Sequence, residues 1–333
     1  MSPLPLNLIR YLIVCRVNAS MVWLSPDPAV EFSLVLGTFI QESLPTIQAR
    51  PWRKALVPWK ELGGLSAIRN RSLKAIPGAA WPVEAVIFCY PGKRAYGEGE
   101  LVTLELKLIG ESADHSFFLE TVLPALEAAS SRIDRGWQTP NSLWGKFDIN
   151  AVYVARGHNW ETLVHDGRLD LRYSATSMQW CEGLDLRRHS SGPFQNLIWI
   201  TPFNLRSAEE GRPARKPRQK IAPAEVPSLS EILTSLMMRM NSLPIGKPHK
   251  GATFWDVLAP RDRDAFQEAL DRCSEVPMIH SALRPVPRVR PGRWTGRQRF
   301  GVIPDSVVPY LGLASIFHIG EHTHLGCGTF TLS

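Results

Sequence analysis

Gly320-Glu321-His322-Thr323-His324-Leu325-Gly326-Cys327-Gly328 is the stretch on which the reading of this 333-residue chain turns. It follows the apolar run Leu311–Ile319 and precedes the alternating stretch Thr329–Leu332, so it reads as a glycine-rich loop between two strands. Such a loop can turn several backbone N–H groups toward one anion, because glycine accepts positive φ and lets a phosphate approach. It can equally be a plain glycine turn, and the residues upstream weigh on the choice. Arg284–Pro304 carries six arginines and no acidic residue over twenty-one positions. Arginine's planar fork matches phosphate oxygens and stacks on exposed bases. With Trp294 inside it, the segment combines charge with a stacking surface of the kind that looped or single-stranded RNA uses.

The charge of the whole chain agrees. Formal net charge is +7, from 38 Lys+Arg against 31 Asp+Glu, and the surplus is concentrated. A second basic stretch, Arg206–Lys220, carries six Lys+Arg against two Glu. Prolines and glycines make both stretches poor helix interiors, so they are expected as loops or edge strands. The rest of the composition, 44% hydrophobic and 21% charged, is that of a globular chain and excludes global disorder. The length points to two domains.

Cys15, Cys89, Cys181, Cys273 and Cys327 are scattered, with no C-x-x-C and no Cys/His pair at zinc spacing. That pattern fits a reducing cytoplasm and argues against a zinc site. Leu8–Val17 is apolar but interrupted by Arg10 and Arg16, too short for a signal segment or a membrane span. A soluble, intracellular protein is expected, without a membrane partner. Met21 offers an alternative start, which makes the residues before it a weakly structured extension.

Leu101–Ile109 (LVTLELKLI) alternates Leu104, Leu106 and Leu108 with Thr103, Glu105 and Lys107, the period of a strand. Phe32, Leu34 and Leu36 alternate likewise. Phe147–Val154 and Asn196–Ile200 are further strands by their aromatic and β-branched content. Phe117–Ile133 reads as a helix with Val122, Leu126, Ala129 and Ile133 on one face and a kink or first turn at Pro124. In Leu229–Leu243, Ser228 and Glu231 form a capping box, and Leu229, Ile232, Leu233, Leu236, Met237, Met240 and Leu243 keep helical spacing. That apolar stripe reads as core. Asp262–Cys273 is another helix. Each half therefore runs strand, helix, strands, which gives an α+β class with each sheet covered by helices on one face.

His318, His322 and His324 cluster near the chain end, with His318 expected on a strand. No H-E-x-x-H frames them, so their chemistry is that of a general acid or base rather than a metal site. No nucleophile elbow, P-loop or dinucleotide fingerprint is present, and no cofactor is expected.

One ordered set of motifs resembles a known family. Ile200-Thr201-Pro202-Phe203-Asn204-Leu205 is followed by the capped helix ending near Arg239. Then comes Arg293-Trp294-Thr295-Gly296-Arg297-Gln298, and last His318 to Phe330. The order resembles the C-terminal half of the CRISPR repeat-processing endoribonucleases of the RAMP superfamily, over about residues 195–333. Upstream, Tyr96-Gly97-Glu98-Gly99 and Leu104–Gly110 resemble the first domain of that family more loosely.

The resemblance implies two tandem ferredoxin-like (RRM-like) domains, at 22–194 and 195–333, after an extension at 1–21. It implies binding of CRISPR repeat RNA and its metal-independent cleavage, the 2′-hydroxyl attacking the adjacent phosphate to leave a 2′,3′-cyclic phosphate. It also implies other CRISPR effector subunits as partners, the protein staying on its product. Arg206, Arg284, Arg288, Arg290, Arg293, Trp294, Arg297, Gln298 and Arg299 are then the RNA-binding residues, with Gly320, Gly326 and Gly328 lining the backbone. His322 or His324 transfers protons. The sequence departs from the pattern at Glu321, where the family has lysine, and no histidine precedes His115. Two other readings stay open: a non-catalytic RAMP subunit that caps a guide-RNA hairpin, and a basic RNA-binding protein outside the family.

Overall fold

Leu8–Val17 (β1) is the strand around which the first sheet is built. It pairs antiparallel with Leu101–Ile109 (β5) on one side and with Phe147–Arg156 (β6) on the other. This corrects the expected weakly structured extension: Leu8, Tyr11, Ile13 and Cys15 are fully buried. The computed structural model describes residues 6–61, 80–90, 92–132, 142–184, 186, 193–205, 226–243, 253–287 and 290–333. These fall into two units. The first runs to Leu184 and includes Arg290 and His324–Gly326; the second takes the remaining described residues.

In the first unit, Ala85–Cys89 (β3), Asn159–His165 (β7) and Arg168–Leu169 (β8) complete a six-stranded sheet of order β3-β5-β1-β6-β7-β8. Its neighbouring strands are antiparallel. Met21–Trp23 (β2) and Ala95–Gly97 (β4) form a separate two-stranded sheet. Helices Pro28–Ser43 (α1), Thr46–Glu61 (α2) and Leu123–Ser131 (α3) share one core with Ile9, Tyr11, Ile13, Leu104, Leu106 and Leu108. The Phe32-Leu34-Leu36 alternation, expected as a strand, lies inside α1. Every residue from Val30 to Ile40 is buried there, so no polar face marks the helical period. Ahead of α3 the helix is irregular: Phe118–Val122 is a π turn directly before Pro124. Proline has no N–H for the carbonyl four residues back, and the wider turn absorbs that break. Ile133 lies outside the described residues.

The even-numbered side chains of β1 face the other side of the sheet, where a charged group is buried. Arg10 Nε donates to Glu105 Oε1 at 2.6 Å, the Tyr90 hydroxyl donates to Glu105 Oε2 at 3.3 Å, and Lys107 Nζ lies 4.0 Å from Glu105. Burial opposes ionisation of Glu105, but Arg10, Lys107 and the Tyr90 hydrogen bond outweigh it and hold the carboxyl below its usual range. Burial pushes the Lys107 ammonium down to about 8.

The second unit repeats the plan. Asn196–Phe203 (β9) is followed by Leu229–Asn241 (α4), Pro260–Glu275 (α5), Met278–Pro285 (β10), Trp294–Phe300 (β11), Val308–Phe317 (α6) and Phe330–Leu332 (β12). The sheet order is β10-β11-β9-β12, all antiparallel. In both units, in chain order, the second and third strands lie beside the first, with the fourth on its far side. That is the ferredoxin-like arrangement. The capping box at Ser228 and Glu231 is present, with the Ser228 hydroxyl accepting from Glu231 N at 3.2 Å.

Two expectations change here. The apolar run before the glycine-rich loop is the helix α6, entered through Pro309 in its first turn, not a strand. In the arginine segment only β10 is an edge strand, whereas β11 lies between β10 and β9. No helix among the described residues is long and apolar enough to cross a membrane.

Candidate nucleic-acid interface

One face of the second sheet carries its core. Leu197, Trp199, Phe203, Trp294, Gln298, Phe300 and Phe330 are buried there, with the Trp199 and Phe203 rings stacked 3.6 Å apart. The opposite face is open. Ala282, Arg297, Ile198 and Thr331 stand side by side across all four strands. Arg299 pairs with His280 and Asn196, and Arg284 with Thr295. Arg284, Arg297 and Arg299 are exposed, as are Ile198 and Ile200. None of the four strands contains Asp or Glu. The face therefore combines three guanidinium groups, no opposing carboxylate of its own, and apolar ground between them, the mixture that holds single-stranded nucleic acid.

Alternation along β11 separates the expected binding residues. Arg297 and Arg299 point out, and Arg299 Nη2 donates to Gln195 Oε1 at 3.2 Å. Gln298 points inward: its carbonyl accepts from Trp199 Nε1 at 2.9 Å and its amide donates to Pro227 O at 2.7 Å. Trp294 is 8% exposed, so its ring packs inside the unit instead of offering the expected stacking surface. Arg293 is exposed and sits over that ring, 5.5 Å from its centroid. Arg290, in the first unit, donates from Nε to Asp27 Oδ1 at 2.6 Å and from Nη2 to Pro26 O at 3.0 Å. Burial raises the Asp27 carboxyl pKa against the lowering pull of Arg290. Arg290 thus serves the start of α1. Arg206 and Arg288 lie outside the described residues, as does the basic run 206–220.

The glycine-rich loop is anchored by the Thr-Pro motif. Between Trp294 and Gly296 the β11–β9 register shifts, and β9 bulges at Ile200–Pro202. There Thr201 Oγ1 accepts from Thr329 N at 3.2 Å and Pro202 O accepts from Gly328 N at 2.9 Å. Asn204 holds the next position: its carbonyl accepts from Glu321 N at 2.8 Å and its amide donates to Glu321 Oε2 at 2.6 Å. The glycines serve this packing. A Cβ on Gly320 would stand 2.3 Å from Asn204 O, on Gly328 1.9 Å from Ile319 O, and on Gly326 2.5 Å from Ile87 O. The space expected for a phosphate at these three positions is taken by the protein's own backbone.

The histidines separate as well. His318 ends α6 with φ of 58° and is fully buried, its Nδ1 3.0 Å from Cys327 O. It is a structural group, on no strand. His322 also has φ of 58°, is half-buried, and its carbonyl accepts from Cys327 N at 3.4 Å. A positive φ on a non-glycine residue is strain held by the surrounding structure, and such strain gathers at functional loops. His324 is half-buried in the short turn Thr323–Leu325, which belongs to the first unit. Among the described residues no group of His, Cys, Asp and Glu is placed to hold a metal ion.

Sequence reasoning assigned no role to Ile198, Ile200, Asn204 or the Arg10–Glu105–Lys107 group. The exposed isoleucines had one signal, their alternation with Leu197 and Trp199.

No protein-family model and no curated protein matches the sequence. Solved structures do match. A chain of the partial Cas6-RT-Cas1–Cas2 complex aligns with a TM-score of 0.50 and 12% identity, over 98% of this chain and 46% of that one. The chain shares its fold with Cas6 structures. In a second match, the Cas6-RT-Cas1–Cas2 complex, TM-score and identity are again 0.50 and 12%, over 98% of this chain and 29% of that one. Thermus thermophilus Cas6 aligns with a TM-score of 0.45 and 12% identity, over 98% of this chain and 99% of the other. The chain spans less than half the length of the first two. The Cas6 fold agrees with the two ferredoxin-like units described above.

Proposed function

We propose that this chain binds CRISPR repeat RNA and cleaves it as a metal-independent endoribonuclease. The observation that carries the reading is the open sheet face of a chain with the Cas6 fold: three exposed arginines and no carboxylate on its four strands. Arg284, Arg297 and Arg299 hold backbone phosphates, with Arg293 adding charge at the end of β11. A ribose 2′-oxygen attacks the adjacent phosphorus, the bond from phosphorus to the 5′-oxygen breaks, and a 2′,3′-cyclic phosphate remains. His322 or His324 takes the 2′-hydroxyl proton or supplies one to the leaving 5′-oxygen. The bound product and other CRISPR effector proteins are the partners, in the cytoplasm of a prokaryote.

Glu321 favours a second reading. Its carboxylate, held by Asn204, stands in a loop that would have to meet phosphate, and a non-catalytic subunit capping a guide-RNA hairpin tolerates that better. Incubation of the protein with the repeat RNA of its own array, in EDTA, separates the two. Cleavage to a cyclic-phosphate end supports the enzyme. Intact RNA under all conditions sinks it, and tight binding without cleavage establishes the capping subunit. Full cleavage by His322→Ala/His324→Ala would remove the histidines from the reaction.

A further inference from the structure

In the second unit the last turns of α4 and the start of the glycine-rich loop enclose a pocket of about 150 Å³, lined by Ser235, Met238, Arg239, Ser242 and Gly320. Its chemistry is specific. Arg239 brings a forked, always charged donor. The Ser242 hydroxyl spends its proton on Arg239 O at 2.7 Å, so toward any further group it is an acceptor. Ser235 is a buried hydroxyl, and Met238, 38% exposed, supplies a soft apolar wall.

A free phosphate suits this site poorly. The pocket has one cation, and it sits at the C-terminal end of a 13-residue helix, where the carbonyl ends are partially negative. A flat ring that both accepts and donates suits it better. Guanine presents O6 and N7 to a guanidinium fork, the commonest specific arginine–base contact, and carries N–H donors for an acceptor such as Ser242. The thioether of Met238 can lie against the ring.

We infer that this pocket receives one unpaired RNA base, with guanine preferred; the inference rests on the RNA-binding reading above. Unpaired bases splayed from loops and single strands are what proteins read in RNA. The pocket begins at Gly320, two residues before His322, so a base held there fixes the register of the strand entering the loop.

The test uses the full chain and 5′-labelled pentaribonucleotides, UUUUU, UUGUU, UUAUU and UUCUU, read by fluorescence anisotropy. The guanine pentamer should bind about tenfold more tightly than the others, the scale of one bidentate base contact. Arg239→Gln should bring the four pentamers within twofold of one another. Met238→Ala, at an exposed position, should reduce the preference at unchanged melting temperature. Equal binding of all four by the wild type, or a preference that survives Arg239→Gln, overturns the assignment. Failure of the nuclease reading looks different, because uncleaved repeat RNA with the guanine preference intact removes the reaction and leaves the pocket.

Discussion

Replacing Arg284, Arg297 and Arg299 together by alanine removes three exposed cations from a face whose strands carry no acidic residue. Each phosphate neutralised on a single strand contributes about 0.7 to the slope of log affinity against log salt. If each arginine meets one phosphate, the slope should become shallower by about 2. Between about 50 and about 200 mM salt that difference amounts to about twentyfold in affinity. The assay is an anisotropy titration of labelled repeat RNA across a KCl series, wild type beside the triple variant. All three side chains are exposed, so the melting temperature should barely move. Arg261→Ala/Arg272→Ala, on the exposed surface of α5, is the control for overall charge. An unchanged slope in the triple variant refutes the phosphate contacts. A control that shifts the slope as much per arginine reduces the effect to net charge.

Gln298→Ala should leave the salt slope alone and cost about 3 kcal/mol in urea unfolding, because Trp199 Nε1 and Pro227 O both lose buried partners. Gly328→Ala should abolish folding of the second unit, since its Cβ would stand 1.9 Å from Ile319 O. Gly99→Ala meets nothing within 4 Å and should cost only about 1 kcal/mol for its positive φ; thermal melts compare the two. Lys107 keeps its proton in the folded protein only up to about pH 8, against about 10.4 in the unfolded chain. Between those values the unfolded state binds more protons, so stability rises with pH. Measured against Lys107→Met, the wild type should gain up to about 3 kcal/mol between about pH 8 and 10; parallel pH curves for the two proteins would exclude it.

Local patterns gave the strands and helices whose pattern is complete within a few residues. Leu101–Ile109 matches β5 residue for residue, and the Ser228–Glu231 box marks the start of α4. Elements defined by distant partners were missed. Arg10 seemed to interrupt an apolar run, but its charge is answered by Glu105, ninety-five residues on. The helices α1 and α6 are apolar on nearly every side, and an apolar run without a polar face has no visible period. Pro309 in the first turn of α6 was the one local clue. At the candidate site, Arg297 and Arg299 were legible as cations, while the inward turn of Gln298 and Trp294 follows from pairing with β9. The glycines were legible as necessary, but what crowds them, the carbonyls of Asn204, Ile319 and Ile87, lies on other segments.

The far edge of β9 has a consequence for the protein's synthesis. Its neighbour there is β12, and Asn196 N donates to Ser333 O at 2.8 Å while Ser333 N donates back to Asn196 O at 3.0 Å. On the ribosome, β9 must therefore wait, one side unpaired, until residue 333 has been made and has cleared the exit tunnel. Leu325, buried in the first core, imposes the same delay on the first unit. Neither unit can reach its final packing during translation, and the waiting edge, with Ile198 and Ile200 beside it, is where a nascent-chain chaperone should be found bound.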